Sequence, residues 1–326
     1  MALVNPAFGA IDALLRGVGQ VMLQNNPITG LLFLVGIFIN SSESGLTALL
    51  GLVVATLAAY FLGVDRKLIR NGLFGFNGVL TGIALSVFLQ WDWHVAVYII
   101  LAAIVSTIVM MGLAKLLSSW DLVPLTAPFV LTAWLLLFAL YQFGQLHPTK
   151  LISLMPVHPG AAIQTDLQEA AGGGGAVGLT AANLANALFR GVGQVFLQDN
   201  LWSGVVFGIA ILVSSRVCFG FAMLGSALGG LTALLLGGDG VSVYHGLYGF
   251  NAVLTVIALG GQFLVLNWWS TIYVLVGAIF SAIVFAAIAV VLSPIGMPAL
   301  TAPFVLTAWV FLLPTSGFRA LQRASV

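Results

Sequence analysis

Long apolar runs separated by short polar clusters set the layout of this chain. Residues 7–24 are apolar apart from a stripe containing Asp12, Arg16 and Gln20, which predicts a first helix broken at Asn25, Asn26 and Pro27. A short apolar helix is predicted over 28–40. A turn at Ser41, Ser42 and Glu43 leads to a span over 45–63, which ends at the charged loop Asp65, Arg66, Lys67 and Arg70. The stretch 72–86 is glycine-rich, apolar and short for a crossing, and polar residues follow it at 91–94. It predicts a re-entrant half-helix, which is tolerated at membrane depth only when buried in protein or lining a cavity. An ordinary span is predicted over 95–114. A last one at 122–144 is interrupted by Pro124 and Pro128, and a proline there frees backbone carbonyls that need partners or a solute.

The same pattern then runs a second time. LTAPFVLTAW at 125–134 returns letter for letter at 300–309, RGVGQV at 16–21 returns at 190–195, and GLFGFNGVLTGIAL at 72–85 returns as GLYGFNAVLTVIAL at 246–259. The offset is 174 for the last two blocks and 175 for the first. Order and spacing predict two homologous halves rather than a short-repeat array. The expected division is a first membrane repeat over 1–144, a Pro- and Gly-rich connector over 145–180 and a second repeat over 181–326. Spans are predicted near 182–198, 202–215, 222–236, 269–291 and 297–313, with a half-helix near 246–260. Five spans per half is an odd number, so the second half should enter the membrane inverted. Inverted repeats place their site near the midplane, between interrupted segments at matching positions.

Composition sets the class. Hydrophobic residues make up 61% of the chain and charged residues 6%, against roughly 25% charged in a soluble domain. Runs of ~20 apolar residues suit helices crossing a bilayer, and the alternation of a transmembrane barrel is missing. The fold class expected is an all-α integral membrane protein. A formal net charge of +1 gives no signal for nucleic acid. The single cysteine, Cys218, excludes an intrachain disulfide framework and reads as a small buried hydrophobe. No basic region with an apolar core and cleavage site opens the chain, so no cleaved signal peptide is expected.

The acids Asp12, Glu43, Asp65, Asp92, Asp121, Asp166, Glu169, Asp199 and Asp239 are all placed at span ends or in loops. Coupled transporters and cation channels normally use an ionisable group at depth, though backbone carbonyls can also coordinate ions, so the pattern points to a neutral solute moving down its own gradient. The polar groups that recur at depth are neutral: Gln20 with Gln194, Thr126 with Thr301, Asn77 with Asn251. Gln20 and Leu23, and Phe76 and Leu80, are spaced to share helical faces. Together they predict an apolar slot with an amide at its edge. Such a lining suits a flat, uncharged solute with several N–H donors, since acceptors can replace its water one bond at a time. Each feature also has an ordinary explanation: a Phe–Leu pair as packing, a threonine bonded to its own helix, an asparagine satisfying local backbone. Arg16 and Arg190, placed in the first turns of their helices, read as snorkelling or as bonding a broken helix end. His245 matches Asn71, which weakens a special proton role, and Gly225 with Gly229 reads as helix contact.

The three duplicated blocks, with NNPITGLL after the first, resemble the urea transporter family over roughly residues 12–143 and 186–313. The resemblance implies a channel-like urea facilitator, not an enzyme. It would be a homotrimer with one pore per protomer, multi-pass in a bacterial inner membrane, with lipid around it and no cofactor or metal. Each half would hold five membrane helices and one re-entrant helix. Both termini would be cytoplasmic, whereas the lysine and arginine count places them outside. By motif, Gln20 and Gln194 would edge two urea sites. Leu23, Phe76 and Leu80 would wall one; Leu197, Phe250 and Leu254 the other. Val21 and Val195 would pack beside them, and Thr126 and Thr301 would offer hydroxyls in the constricted middle. Leu23 and Leu197 stand where phenylalanine is common in the family, which changes the stacking partner but keeps the slot apolar. Alternatives are a channel for ammonia, water or short amides, and an ion-coupled transporter. With no deep titratable group evident, little change in flux is expected between about pH 6 and 8, where histidine is the side chain that titrates.

Overall fold

The computed structural model describes residues 6–149, 151 and 180–324. Most of the connector, with Asp166 and Glu169, lies outside them. The described residues are helical, with no β-strand among them and two isolated bridges, Leu89 to Pro148 and Leu264 to Arg323.

Seven helices come first: α1 (Pro6–Gly19), α2 (Pro27–Asn40), α3 (Ser42–Phe61), α4 (Arg66–Arg70), α5 (Gly75–Phe88), α6 (Trp93–Leu117) and α7 (Ala127–Ala139). The same order follows: α8 (Ala181–Gly193), α9 (Leu201–Ser214), α10 (Arg216–Leu235), α11 (Gly240–Tyr244), α12 (Phe250–Val256), α13 (Trp268–Leu292) and α14 (Ala302–Leu312). α12 runs on into a π-helix, Ile257–Phe263.

Local chemistry sets these limits. Ser41 and Ser215 cap α3 and α10, accepting from the N–H groups of Ser44 and Cys218. α10 therefore starts at Arg216, well before the predicted 222. The charged stretch after α3 is a helix, α4, because Asp65 caps it through Lys67 N–H at 2.8 Å. Pro128 and Pro303 do not interrupt spans. They sit in the first turns of α7 and α14, where a missing N–H costs nothing. Asp92 caps α6, and the hydrogen bond from His94 holds its carboxyl below the ordinary carboxylate range.

Among the described residues, four helices are long and apolar enough to cross a membrane: Ser42–Phe61, Trp93–Trp120, Arg216–Leu235 and Trp268–Ile295. Two bent pairs add to them, α1 with α2 at 72° and α8 with α9 at 77°. α5, α7, the α12 segment and the α14 segment are apolar but shorter. Large apolar side chains such as Phe61, Leu135, Trp268 and Val290 face outward, as suits lipid. The fold fits a multi-pass membrane protein.

Close backbone approach assembles each half. A Cβ on Gly225 would lie 2.9 Å from Ala252 O, and one on Gly229 2.2 Å from Tyr248 O, so this spacing is a helix contact between α10 and the α12 region. The halves meet along α2 and α9 through exchanged bonds. Thr29 Oγ1 donates to Ala210 O at 2.8 Å, and Ser203 Oγ donates to Gly36 O at 2.7 Å. At the other junction the Trp134 indole donates to Pro298 O at 2.8 Å, and the Trp309 indole to Val123 O at 2.9 Å.

Candidate functional site

Each half breaks its first bent pair in the same way. α1 tightens into a 3-10 turn at Gln20–Met22, and Leu23 turns left-handed at φ 59°. Leu23 N–H bonds Gln20 O and Gln24 N–H bonds Gly19 O, both at 3.0 Å, the two bonds of a Schellman cap. Asn26 then caps α2, accepting from Ile28 and Thr29. In the second half the turn is Gln194–Phe196, Leu197 has φ 55°, and Asn200 caps α9. The left-handed position usually holds glycine. A leucine there costs roughly 1–2 kcal/mol, and strain of this kind gathers at functional sites. Gln20 and Leu23 therefore do not share a helical face as expected, because the helix has ended before Leu23. Phe76 and Leu80 do share one on α5, as do Phe250 and Leu254 on α12.

The two glutamines are held alike. Gln20 Nε2 donates to Asn71 O and Gln194 Nε2 to His245 O, each at 2.9 Å. A backbone carbonyl only accepts, so the nitrogen of each amide must face it and Oε1 remains as an acceptor. Val21, Val195, Phe76, Leu80, Phe250 and Leu254 are buried in one continuous apolar cluster, and the half-buried Leu23 and Leu197 pack against it.

At the middle the two halves touch through Thr126 and Thr301, whose hydroxyl oxygens lie 2.7 Å apart and are buried. Left-handed leucines precede both, Leu125 at φ 54° and Leu300 at φ 50°. The helices that begin here are capped from a distance. Asn77 Oδ1 accepts from Phe129 N–H at 3.1 Å, and Asn251 Oδ1 from Phe304 N–H at 3.0 Å. Both asparagines satisfy backbone, but on another helix 52 and 53 residues away, not locally. Asn251 also donates to Leu300 O at 3.2 Å, whereas the Asn77 amide faces the Met110 sulfur at 3.8 Å.

Behind each glutamine stands an arginine in the last turn of its helix, not the first, where its charge suits the helix dipole. Arg16 pairs with Asp12 at 2.6 Å and reaches Asn25 O and Oδ1 at 2.9 Å. Asp12 lies within α1, not at its end. Arg190 pairs with Asp199 at 2.8 Å and stacks 4.6 Å above the Tyr244 ring. His245 Nδ1 lies 2.5 Å from Asp199 Oδ2 and 3.0 Å from Arg190 Nη1. An ionised carboxylate cannot donate, so the shorter contact assigns an Nδ1–H donated to Asp199, and Arg190, itself only a donor, then lies beside that nitrogen without bonding it. Sequence reading set His245 aside as a match for Asn71. The role of its carbonyl, and of Asn71 O, carries no side-chain signal at all. Cys218 is buried, as expected for a small hydrophobe. Among the described residues, no group of three or more histidines, cysteines or acids could hold a metal ion.

The arrangement offers neutral acceptors at two equivalent breaks and at one central contact, against apolar walls. A family model described as Urea transporter matches residues 11–316. Urea transporter 1 of Ovis aries is 34% identical over 309 residues, covering 94% of this chain and 77% of that protein. Urea transporter 1 of Mus musculus has the same identity and coverage, and that of Capra hircus is 33% identical over the same length. The match takes in both breaks, the short apolar helices α5 and α12 and the central threonines, and the chain belongs to the urea transporter family.

Proposed function

We propose that the protein carries urea passively down its gradient through a pore within each protomer of a homotrimer. It would sit in a bacterial inner membrane with both termini cytoplasmic. The chain would divide into inverted membrane repeats over 1–144 and 181–326, joined by the connector 145–180, each with five membrane helices and one re-entrant helix. Urea is flat and uncharged, with four N–H donors and one carbonyl. In this reading it sheds water at one break, where Gln20 Oε1 accepts its N–H and Leu23, Phe76 and Leu80 form the walls. It then passes Thr126 and Thr301 and leaves by Gln194, Leu197, Phe250 and Leu254. The Phe76 and Phe250 rings add weak N–H···π contact.

The observation that carries the reading is the buried Thr126–Thr301 contact at 2.7 Å, together with two glutamines whose Nε2 atoms are bound to backbone and whose oxygens remain as acceptors. Passage must part these hydroxyls, and urea N–H and C=O groups can bond each of them in turn. The acids nearest the breaks support a passive mechanism, since Asp12 and Asp199 are each bound by an arginine.

Urea flux into proteoliposomes with no ion gradient tests the reading. Rapid uptake well above that of empty liposomes is expected. Uptake that waits for a proton or sodium gradient would make the protein an ion-coupled transporter instead. In the Thr126→Val/Thr301→Val double variant, each lost hydroxyl bond is worth about 0.5–1.5 kcal/mol at the barrier. Flux should fall several-fold with the oligomer intact, and an unchanged rate removes the threonines from the path.

A further inference from the structure

The two repeats fall out of step at one place, and the structure gives the reason. Leu85 matches Leu259, 174 residues on, within the duplicated block. Phe88 matches Phe263, 175 residues on: their carbonyls accept equivalent bonds from Thr149 and Ala324, both at 2.9 Å, and equivalent bridges follow at Leu89 and Leu264. Ser86–Val87 in the first repeat thus faces Gly260–Gly261–Gln262 in the second. α5 is regular through this point, whereas the second repeat opens into the π-helix Ile257–Phe263. A π-turn is what a single inserted residue makes of a helix, and such turns are frequent at functional sites. Glycines line its inner side: a Cβ on Gly260 would meet the Phe221 ring, and one on Gly261 the Cys218 sulfur, each at 2.7 Å.

The insertion delivers Gln262. Its Nε2 crosses to the other repeat and donates to Leu23 O at 3.1 Å, the carbonyl of the left-handed leucine that ends the first break. Among the described residues, the first repeat returns no equivalent side-chain bond to Leu197. Ser86 Oγ turns back to Ile83 O at 2.9 Å, and valine has no donor to offer. The second break receives a different amide, from Asn40 Nδ2 to Gln198 Oε1 at 2.8 Å. That bond has no counterpart either, because the residue matching Asn40 is Ser214.

We propose that Gln262 is a positioning residue for the solute slot of the first repeat. By holding the Leu23 carbonyl it fixes the strained turn that carries Gln20 and Leu23. The slot at Gln20 is therefore gripped through its backbone and the slot at Gln194 through a side chain, so the two differ in how readily they widen. This rests on the slot reading proposed above.

The test compares urea and N-methylurea flux in proteoliposomes of the full chain. Gln262→Met keeps length and flexibility without a donor, and Gln262→Glu keeps shape but accepts only. Both should raise the methylurea-to-urea flux ratio about two- to tenfold, the factor carried by one hydrogen bond. A ratio equal to wild type in both, or proportional loss of both fluxes, overturns the proposal. Gln20→Ala separates the two levels. If it abolishes urea flux while the Gln262 variants keep the wild-type ratio, the latch falls and the slot stands. If it leaves flux unchanged, the slot falls and the latch with it.

Discussion

The two halves of this molecule share the backbone of their breaks and differ in the charges behind it. Their breaks bend by 72° and 77°, and the leucines that end them have φ 59° and 55°. Both glutamines donate to a carbonyl at the same distance. Around the arginines the likeness stops. Arg16 finds its acid on its own helix, at Asp12, and meets the neutral Asn25 at the break. Arg190 has Asn186 where Asp12 would stand, and finds its acid at the break itself, at Asp199, beside His245. The counter-ion has changed element while the cation has stayed. What both halves need is a neutralised arginine tying the end of the helix to the turn beyond it, and either placement of the acid provides that.

Changes to the shared backbone should do the greatest damage, and to the same degree in both halves. A Cβ on Gly30 would lie 1.8 Å from Leu15 O, and one on Gly204 2.0 Å from Phe189 O. Gly30→Ala and Gly204→Ala should each abolish recovery of monodisperse protein on size exclusion; a half that tolerates the change is not packed like its twin. The distant caps come next. Asn77→Ala and Asn251→Ala each leave a buried N–H without an acceptor, worth about 1–3 kcal/mol. Asn251→Ala should lower the melting temperature further, because it also strips Leu300 O of a donor. Smallest is the counter-ion. The pairs are partly exposed, so Asp199→Asn or Asp12→Asn should cost about 0.2–1 kcal/mol, with Asp199→Asn the worse because it serves both Arg190 and His245. Adding Asn25→Asp to Asp12→Asn, which copies the second half into the first, should restore the melting temperature. Failure to restore it would mean that the two arginine sites are not interchangeable.

The sequence made the helices, the broken pairs and the candidate pairs of residues readable because every important stretch is written twice. It hid the geometry of the breaks. A glycine at 23 or 125 would have announced a left-handed turn, but leucine stands there and reads as one more apolar position. The step from 174 to 175 was visible as arithmetic, yet only the hydrogen bonds of Phe88 and Phe263 locate it at the π-turn. Asn77 and Asn251 looked local because nothing in a sequence says that a side chain will cap a helix 52 residues on. His245 was discounted because it matches an asparagine. Its backbone carbonyl does the same work as that of Asn71, and residue type is silent about that.

The exchanged tryptophans bear on how the chain is made. Trp134 bonds Pro298 O and Trp309 bonds Val123 O, so each half holds the acceptor for the other's indole and none for its own. When the ribosome has completed the first half, the Trp134 donor and the Val123 acceptor lack the partners that the finished fold gives them. They wait until the last helices emerge. A first half can enter the membrane early, but it closes only at the end of translation. Truncation near the C-terminus would then undo contacts laid down near residue 123, far from the missing piece.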